Sequence, residues 1–166
     1  MTKKRAESDR VDALFFGHAA RLVRLARLLG DDDPEDVVQE AFCKLYAARG
    51  RLDADEAKVV AYLNRIVVNE VRSRHRRRAV ARRNAHLLRT ESEPDPSSVH
   101  DDRAAVLQQL ARLPQRQRET LVLRYWMDLP LGEIAEVMGT RVGTVKSQLS
   151  RGLGAIGAAL LTEVEQ

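Results

Sequence analysis

From Thr90 to Asp102 the chain reads Thr-Glu-Ser-Glu-Pro-Asp-Pro-Ser-Ser-Val-His-Asp-Asp, with two prolines, three serines, five acids and only Val99 to bury. Such a stretch cannot continue a helix, because the residue before each proline is driven out of the helical region. Its polarity also keeps it out of a core, so it reads as an extended linker. The chain is therefore divided into a block at 9–83, a linker at 84–102 and a second block at 103–161.

Both blocks carry helical periodicity, and strand signals are nearly absent. Val11, Leu14, Phe15, His18, Leu22, Leu25, Ala26 and Leu29 recur at three-four spacing, and Gly30 stops that helix. A second helix opens on Asp33 as N-cap with Pro34 in its first turn, buries Val37, Val38, Ala41, Phe42 and Leu45, and ends near Gly50. After the polar loop from Arg51 to Glu56, a third helix buries Val59, Val60, Leu63, Ile66, Val67 and Val71 before turning basic. Beyond the linker, helices are predicted near 103–112, 114–126, 131–138 and 142–161. The fold class is all-α: two small helical domains joined by a flexible linker.

Acidic residues gather between Asp31 and Glu40, while Arg72, Arg74, Arg76, Arg77, Arg78, Arg82 and Arg83 form a basic block. Segregated charge of this kind points to two different partners. The net charge of +4 and the pI near 9.6 suit a polyanionic one.

The last two helices have the pattern of a helix-turn-helix. Leu131, Ile134, Ala135 and Met138 make one apolar stripe, Gly139 and Thr140 supply the turn, and Val145, Leu149, Leu153, Ile156 and Leu160 make the next packed face. Opposite stand Thr144, Ser147, Gln148 and Arg151, flanked by Arg141 and Lys146. A recognition helix of this type lays its N-terminal residues against base edges in the major groove. Arginine or lysine there reads guanine or clamps phosphate. A helical hairpin with a solvated polar face is the plainer reading. Gly152, Gly154 and Gly157 weaken the distal part of the helix by about 1 kcal/mol each relative to alanine, which confines base contacts to the first two turns.

In the first block, Asp36, Gln39, Glu40 and Cys43 share one face of the second helix. Carboxylates there repel phosphates, so the face suits a basic protein surface. A solvated acidic face that favours the helix N-terminus accounts equally well for the spacing. The third helix aligns Arg65, Asn69, Arg72 and Arg76 on one side; a solvated basic helix end competes with a nucleic-acid surface, which the density of arginine favours. Asn69 adds an amide able to hydrogen-bond a base edge.

The remaining candidates carry little chemistry. Cys43 is the single cysteine, which excludes an internal disulfide and fits a reducing compartment. Its plainest reading is a helix residue without chemical role, with redox control of docking as the alternative. His18 lies on an apolar stripe and is expected to pack in the core. His75, His86 and His100 are scattered, so no zinc-ligand spacing appears. Phosphate loops and nucleophile motifs are absent too. No cofactor, no metal and no enzymatic activity are expected. No secretory signal is visible and no apolar run reaches membrane-spanning length, so a cytoplasmic protein without membrane insertion is expected.

Taken together, Asp36 to Phe42, Tyr62 to Asn69, and Leu113-Pro114 through Arg151 resemble the extracytoplasmic-function (ECF) sigma factors, the smallest class of bacterial sigma subunits. The resemblance implies a sigma-two domain at 9–83 and a sigma-four domain at 103–161. It implies that Asp36, Gln39 and Glu40 dock on the clamp helices of core RNA polymerase. It also implies that Arg141, Val142, Gly143, Thr144, Lys146, Ser147, Ser150 and Arg151, with Arg124 in support, bind the minus-thirty-five duplex. Tyr62, Arg65, Asn69, Arg72 and Arg76, with the loop from Arg49 to Lys58, would take an unpaired minus-ten base from the non-template strand. An anti-sigma factor is implied as a further partner. The chain departs from the family pattern at Tyr62, where tryptophan is usual, at Pro130, where serine or threonine caps the helix, and at glycines 152, 154 and 157. A stand-alone helix-turn-helix regulator is the competing function; it needs neither the acidic face nor the Asn69 surface.

Overall fold

The computed structural model describes residues 2–48, 55–85 and 102–164. Its elements are α1 (Thr2–Leu28), α2 (Pro34–Ala47), α3 (Glu56–Ala85), α4 (Asp102–Arg112), α5 (Gln115–Leu121), a single π turn (Val122–Trp126), α6 (Leu131–Met138) and α7 (Val142–Val164). No strand occurs among the described residues.

Local chemistry explains the punctuation. Gly30 sits at φ 88°, with its N–H on the carbonyl of Arg27 and that of Asp31 on Ala26, the paired bonds that satisfy a helix C-terminus. Asp33 caps α2 as expected, its Oδ1 accepting the N–H of Asp36 at 3.1 Å. α2 stops at Ala47, a few residues short of Gly50, as Ala48 folds back on the carbonyls of Lys44 and Leu45. Gly139 at φ 61° ends α6 just as Gly30 ends α1, with Thr140 bonded to Ala135 and Gly139 to Glu136. Pro130 offers no side-chain cap, yet its carbonyl accepts the N–H of Ile134 and the helix starts there. Proline at such a position sacrifices no helical hydrogen bond.

The first block packs α1, α2 and α3 around Leu22, Leu25, Leu45, Leu63 and Val67, all fully buried. Phe15, expected inside, is partly exposed and meets Phe42 edge-on at 5.1 Å between ring centroids. In the second block, Leu123, Met127, Ile134 and Val145 form the centre. The expected packed face of α7 needs correction. Leu153 is exposed, and Gly152 takes its place in the contact. α5 crosses α7 so closely at Gly152 that a Cβ there would stand 2.8 Å from Leu121 Cδ1. The helix turns its bare position, not its leucine, toward that neighbour.

The periodicity of each block is silent on whether they touch. They do: α6 lies against α3, α1 meets the π turn, and most of the buried apolar residues of the two blocks form one continuous cluster. The candidate linker falls almost wholly in residues 86–101, outside the described residues.

Candidate nucleic-acid interface

α7 enters its first turn on the carbonyl of Arg141, which accepts the N–H of Val145. Val145 is fully buried and anchors the turn, so its neighbours point outward. Arg141, Val142, Gly143, Thr144, Lys146, Ser147, Ser150 and Arg151 are all exposed. The structure thus gathers the predicted duplex-reading residues on one open, cationic surface at a helix N-terminus, where backbone dipoles also favour phosphate. Arg124 plays a different part: half-buried, it donates from Nη1 to the carbonyl of Leu129 at 2.9 Å and holds the loop between the π turn and α6.

On α3, Arg65, Asn69 and Arg76 are exposed along one side, and Tyr62 is half-buried against the core. Arg72, in the same row, is turned inward. Its Nε donates to Glu119 Oε1 at 2.8 Å and its Nη2 to Oε2 at 2.5 Å, a two-pronged pair reaching from the first block to α5 of the second. Nη1 lies 3.4 Å from Asn69 Oδ1. Within the expected loop from Arg49 to Lys58, residues 49–54 lie outside the described residues.

On α2, Asp36, Gln39, Glu40 and Cys43 do share one exposed face. The charge around it is less free than its separation along the chain suggests. Arg74 pairs with Asp36, approaches buried Asp31 at 3.7 Å, and reaches Glu70 at 3.4 Å. Arg78 meets Asp31 at 3.4 Å and Asp32 at 3.0 Å. Burial opposes the charge on Arg74, but Asp36, Asp31 and Glu70 together outweigh it and leave its pKa raised. Part of the basic block therefore neutralises part of the acidic cluster within the fold. Still exposed are Asp36, Gln39 and Glu40 on one helix, with Glu40 3.5 Å from Lys44 Nζ, and Arg65, Asn69, Arg76, Arg77, Arg82 and Arg83 on the other.

Three polar residues escaped the sequence reading. Glu70 hides among Val67, Val68 and Val71, four residues before Arg74, a spacing that could have exposed it. Glu119 is buried between blocks; Arg116 and Gln115, three and four residues earlier, approach it at 3.9 and 3.0 Å, but its pairing with Arg72 leaves no local trace. Asn64, 1% exposed, leaves Oδ1 without a partner. It lines a cleft of about 350 Å³ between the blocks with His18, Glu56, Ala57, Val60, Ala61, Leu129 and Glu133. His18 is not packed away as expected; it stands at the cleft with Nε2 3.0 Å from Glu56 Oε1, because α1 turns that position toward the start of α3. Among the described residues no cluster of His, Cys, Asp and Glu is arranged to hold a metal, and no helix is long and apolar enough to cross a membrane.

Comparison with known proteins assigns both blocks. Residues 14–80 match the family model "Sigma-70 region 2" and residues 103–156 match "Sigma-70, region 4". The RNA polymerase sigma-E factor of Streptomyces avermitilis is 36% identical over 136 residues, covering 80% of this chain and 74% of its own. The ECF RNA polymerase sigma factor SigM of Mycobacterium tuberculosis is 34% identical over 142 residues, covering 84% and 71%. The sigma factor RpoE of Bartonella quintana, solved in complex with the anti-sigma factor NepR, shares the fold at a TM-score of 0.67, with 23% identity over 95% of each chain. A helix-turn-helix block and an acidic-faced three-helix block, in this order and with these relatives, leave one assignment: the chain belongs to the ECF class of RNA polymerase sigma factors.

Proposed function

We propose that the chain directs core RNA polymerase to promoters by dividing three contacts between its two blocks. The block at 9–83 docks on polymerase through Asp36, Gln39 and Glu40 and holds an unpaired minus-ten base of the non-template strand through Arg65, Asn69, Arg72 and Arg76, with Tyr62 behind them. The block at 103–161 holds the minus-thirty-five duplex through Arg141, Val142, Gly143, Thr144, Lys146, Ser147, Ser150 and Arg151, on a loop braced by Arg124. The linker at 84–102 lets the two act at separated sites. Support rests above all on the exposed first turns of α7, where cations and short polar groups share one surface of a recognition helix.

Energetics favour a division of labour. Extruding a base costs a few kcal/mol, and a tethered second site raises the effective concentration of the first without new contacts. The chain has three phenylalanines, three tyrosines and one tryptophan, and α3 carries no aromatic residue after Tyr62. Base stacking on aromatic rings is worth about 1–3 kcal/mol per base, so this chain melts promoters weakly and tolerates few minus-ten mismatches. A soluble or membrane-anchored anti-sigma factor is the proposed regulatory partner, as RpoE was solved with NepR, and the proposed place of action is the cytoplasm.

Run-off transcription with purified core polymerase tests the reading. Promoter-dependent transcripts appear only when this chain is added. Sequence-specific DNA binding by the chain alone, with no association with core polymerase, would point instead to a stand-alone regulator.

A further inference from the structure

We propose that Glu119 is an intramolecular competitor for Arg72. In the closed arrangement its carboxylate occupies the guanidinium that the minus-ten strand needs, and the chain parts along the seam to load a promoter. This rests on α3 being the minus-ten surface.

The pair is built as a lock. Arg72 and Glu119 present two parallel hydrogen bonds, the geometry in which guanidinium and carboxylate, or guanidinium and phosphate, match best. Their side chains are 11% and 2% exposed. Gln115 Nε2 donates to Glu119 Oε1 at 3.0 Å and fixes the carboxylate in place. Without Glu119, Arg72 keeps Asn69 Oδ1 at 3.4 Å but no carboxylate, and without Arg72, Glu119 keeps Gln115 and the more distant Arg116 Nη1 at 3.9 Å; either loss removes the charge pair that spans the seam and favours opening.

Other straps cross the same seam. Arg21 donates to the carbonyl of Met127, Arg118 Nη1 donates to that of Leu29 at 3.3 Å, and Arg24 lies 5.6 Å from the Trp126 ring centroid. Each of these joins a cation to a neutral group; Arg72 and Glu119 join two charges. A carboxylate and a DNA phosphate are chemical rivals for one guanidinium, so binding of either excludes the other there. Asn69, whose Oδ1 faces Arg72, is drawn into the same arrangement.

Geometry requires the seam to part. Elements named for minus thirty-five and minus ten lie about 25 base steps apart, or about 85 Å along the duplex at about 3.4 Å per step. A packed chain of this length has a radius of gyration of about 15 Å. Closed, it cannot span both elements. The two readers differ in the closed state: the α7 surface stays exposed, while the α3 surface has Arg72 occupied. Closure therefore suppresses strand capture and spares duplex binding.

The test uses the full chain without polymerase. Dyes are placed on native Cys43 and on Gly157→Cys, both exposed positions. Glu119→Gln lowers energy transfer and tightens binding of a labelled mixed-sequence single-stranded DNA by about tenfold, as expected when the competent state ceases to be a minority. Arg72→Gln also lowers energy transfer but does not tighten binding. The double exchange Arg72→Glu with Glu119→Arg restores high transfer and leaves strand binding weak, which separates the lock from general loss of folding. Unchanged transfer and affinity in Glu119→Gln, or a double exchange that stays open, overturns the proposal. Failure in run-off transcription would sink the promoter reading while leaving the transfer result standing.

Discussion

Lys44 on α2 donates to Glu70 on α3 at 2.7 Å, and this bond ties the acidic helix to the basic one. The hydrogen bond from Lys44 holds the pKa of Glu70 below its ordinary value of 4.5, against the effect of burial, with Arg74 assisting. The same bond raises Lys44 above its ordinary 10.5. The carboxylate's contribution is present above pH 4.5 and disappears as pH falls through its depressed folded value. The ammonium's contribution is present below 10.5 and disappears as pH rises through its elevated one. Lys44 is 43% exposed, so screening limits the pair to about 1 kcal/mol. Glu70→Gln lowers stability by about that amount near neutrality and flattens the acid limb of a melting-temperature profile. An acid limb identical to that of the parent chain would contradict this.

Glycines 152 and 154 have opposite consequences although they stand two residues apart. Gly152→Ala sets a methyl 2.8 Å from buried Leu121 Cδ1, and overpacking of that kind costs about 1–3 kcal/mol, more than the gain of about 1 kcal/mol in helix propensity. Gly154 has nothing within 4 Å of the corresponding position. Gly154→Ala therefore stabilises by about 0.5–1 kcal/mol. Thermal or denaturant melts of the two variants should move in opposite directions.

Gln39 is a cleaner probe of polymerase docking than Asp36. Asp36→Arg would abut Arg74 and disturb the fold, whereas Gln39 is exposed with no charged partner to disturb. Gln39→Arg is expected to weaken core-polymerase binding at least about tenfold, a loss of about 1.4 kcal/mol. Duplex binding by the same variant should not change. Equal affinity for core polymerase in a titration would remove α2 from the interface.

Arg151 lies in the third turn of α7, beyond the first two turns to which base contacts are proposed to be confined, so a phosphate contact is the role proposed for it. Arg151→Ala should weaken binding to all duplex sequences alike and reduce the slope of log affinity against log salt by about 0.9. A changed sequence preference at constant slope would instead put Arg151 on a base edge, where a bidentate contact discriminates by about 1–3 kcal/mol.

The helices, their caps and the helix-turn-helix are legible in the amino-acid sequence. Asp33, Gly30 and Gly139 act through bonds to residues within a few positions, and such local chemistry is written in local sequence. The exposed rows on α2 and α7 follow for the same reason, since a helix period predicts which side chains share a face. Whether Leu153 or Gly152 faces α5 was not legible, because the choice depends on how closely another helix crosses.

What the sequence determined, then, is two helical blocks with an anionic face on one and cationic surfaces on both. Tertiary structure alone decided which charges remain available. Arg74 and Arg78 turn onto Asp31 and its neighbours, and Arg72 turns onto Glu119, 47 residues away in the chain. A periodic pattern records the side of a helix a residue occupies. The charge that meets it there is set by long-range packing, because Coulomb and hydrogen-bond energies depend on distance in space and not on separation along the chain.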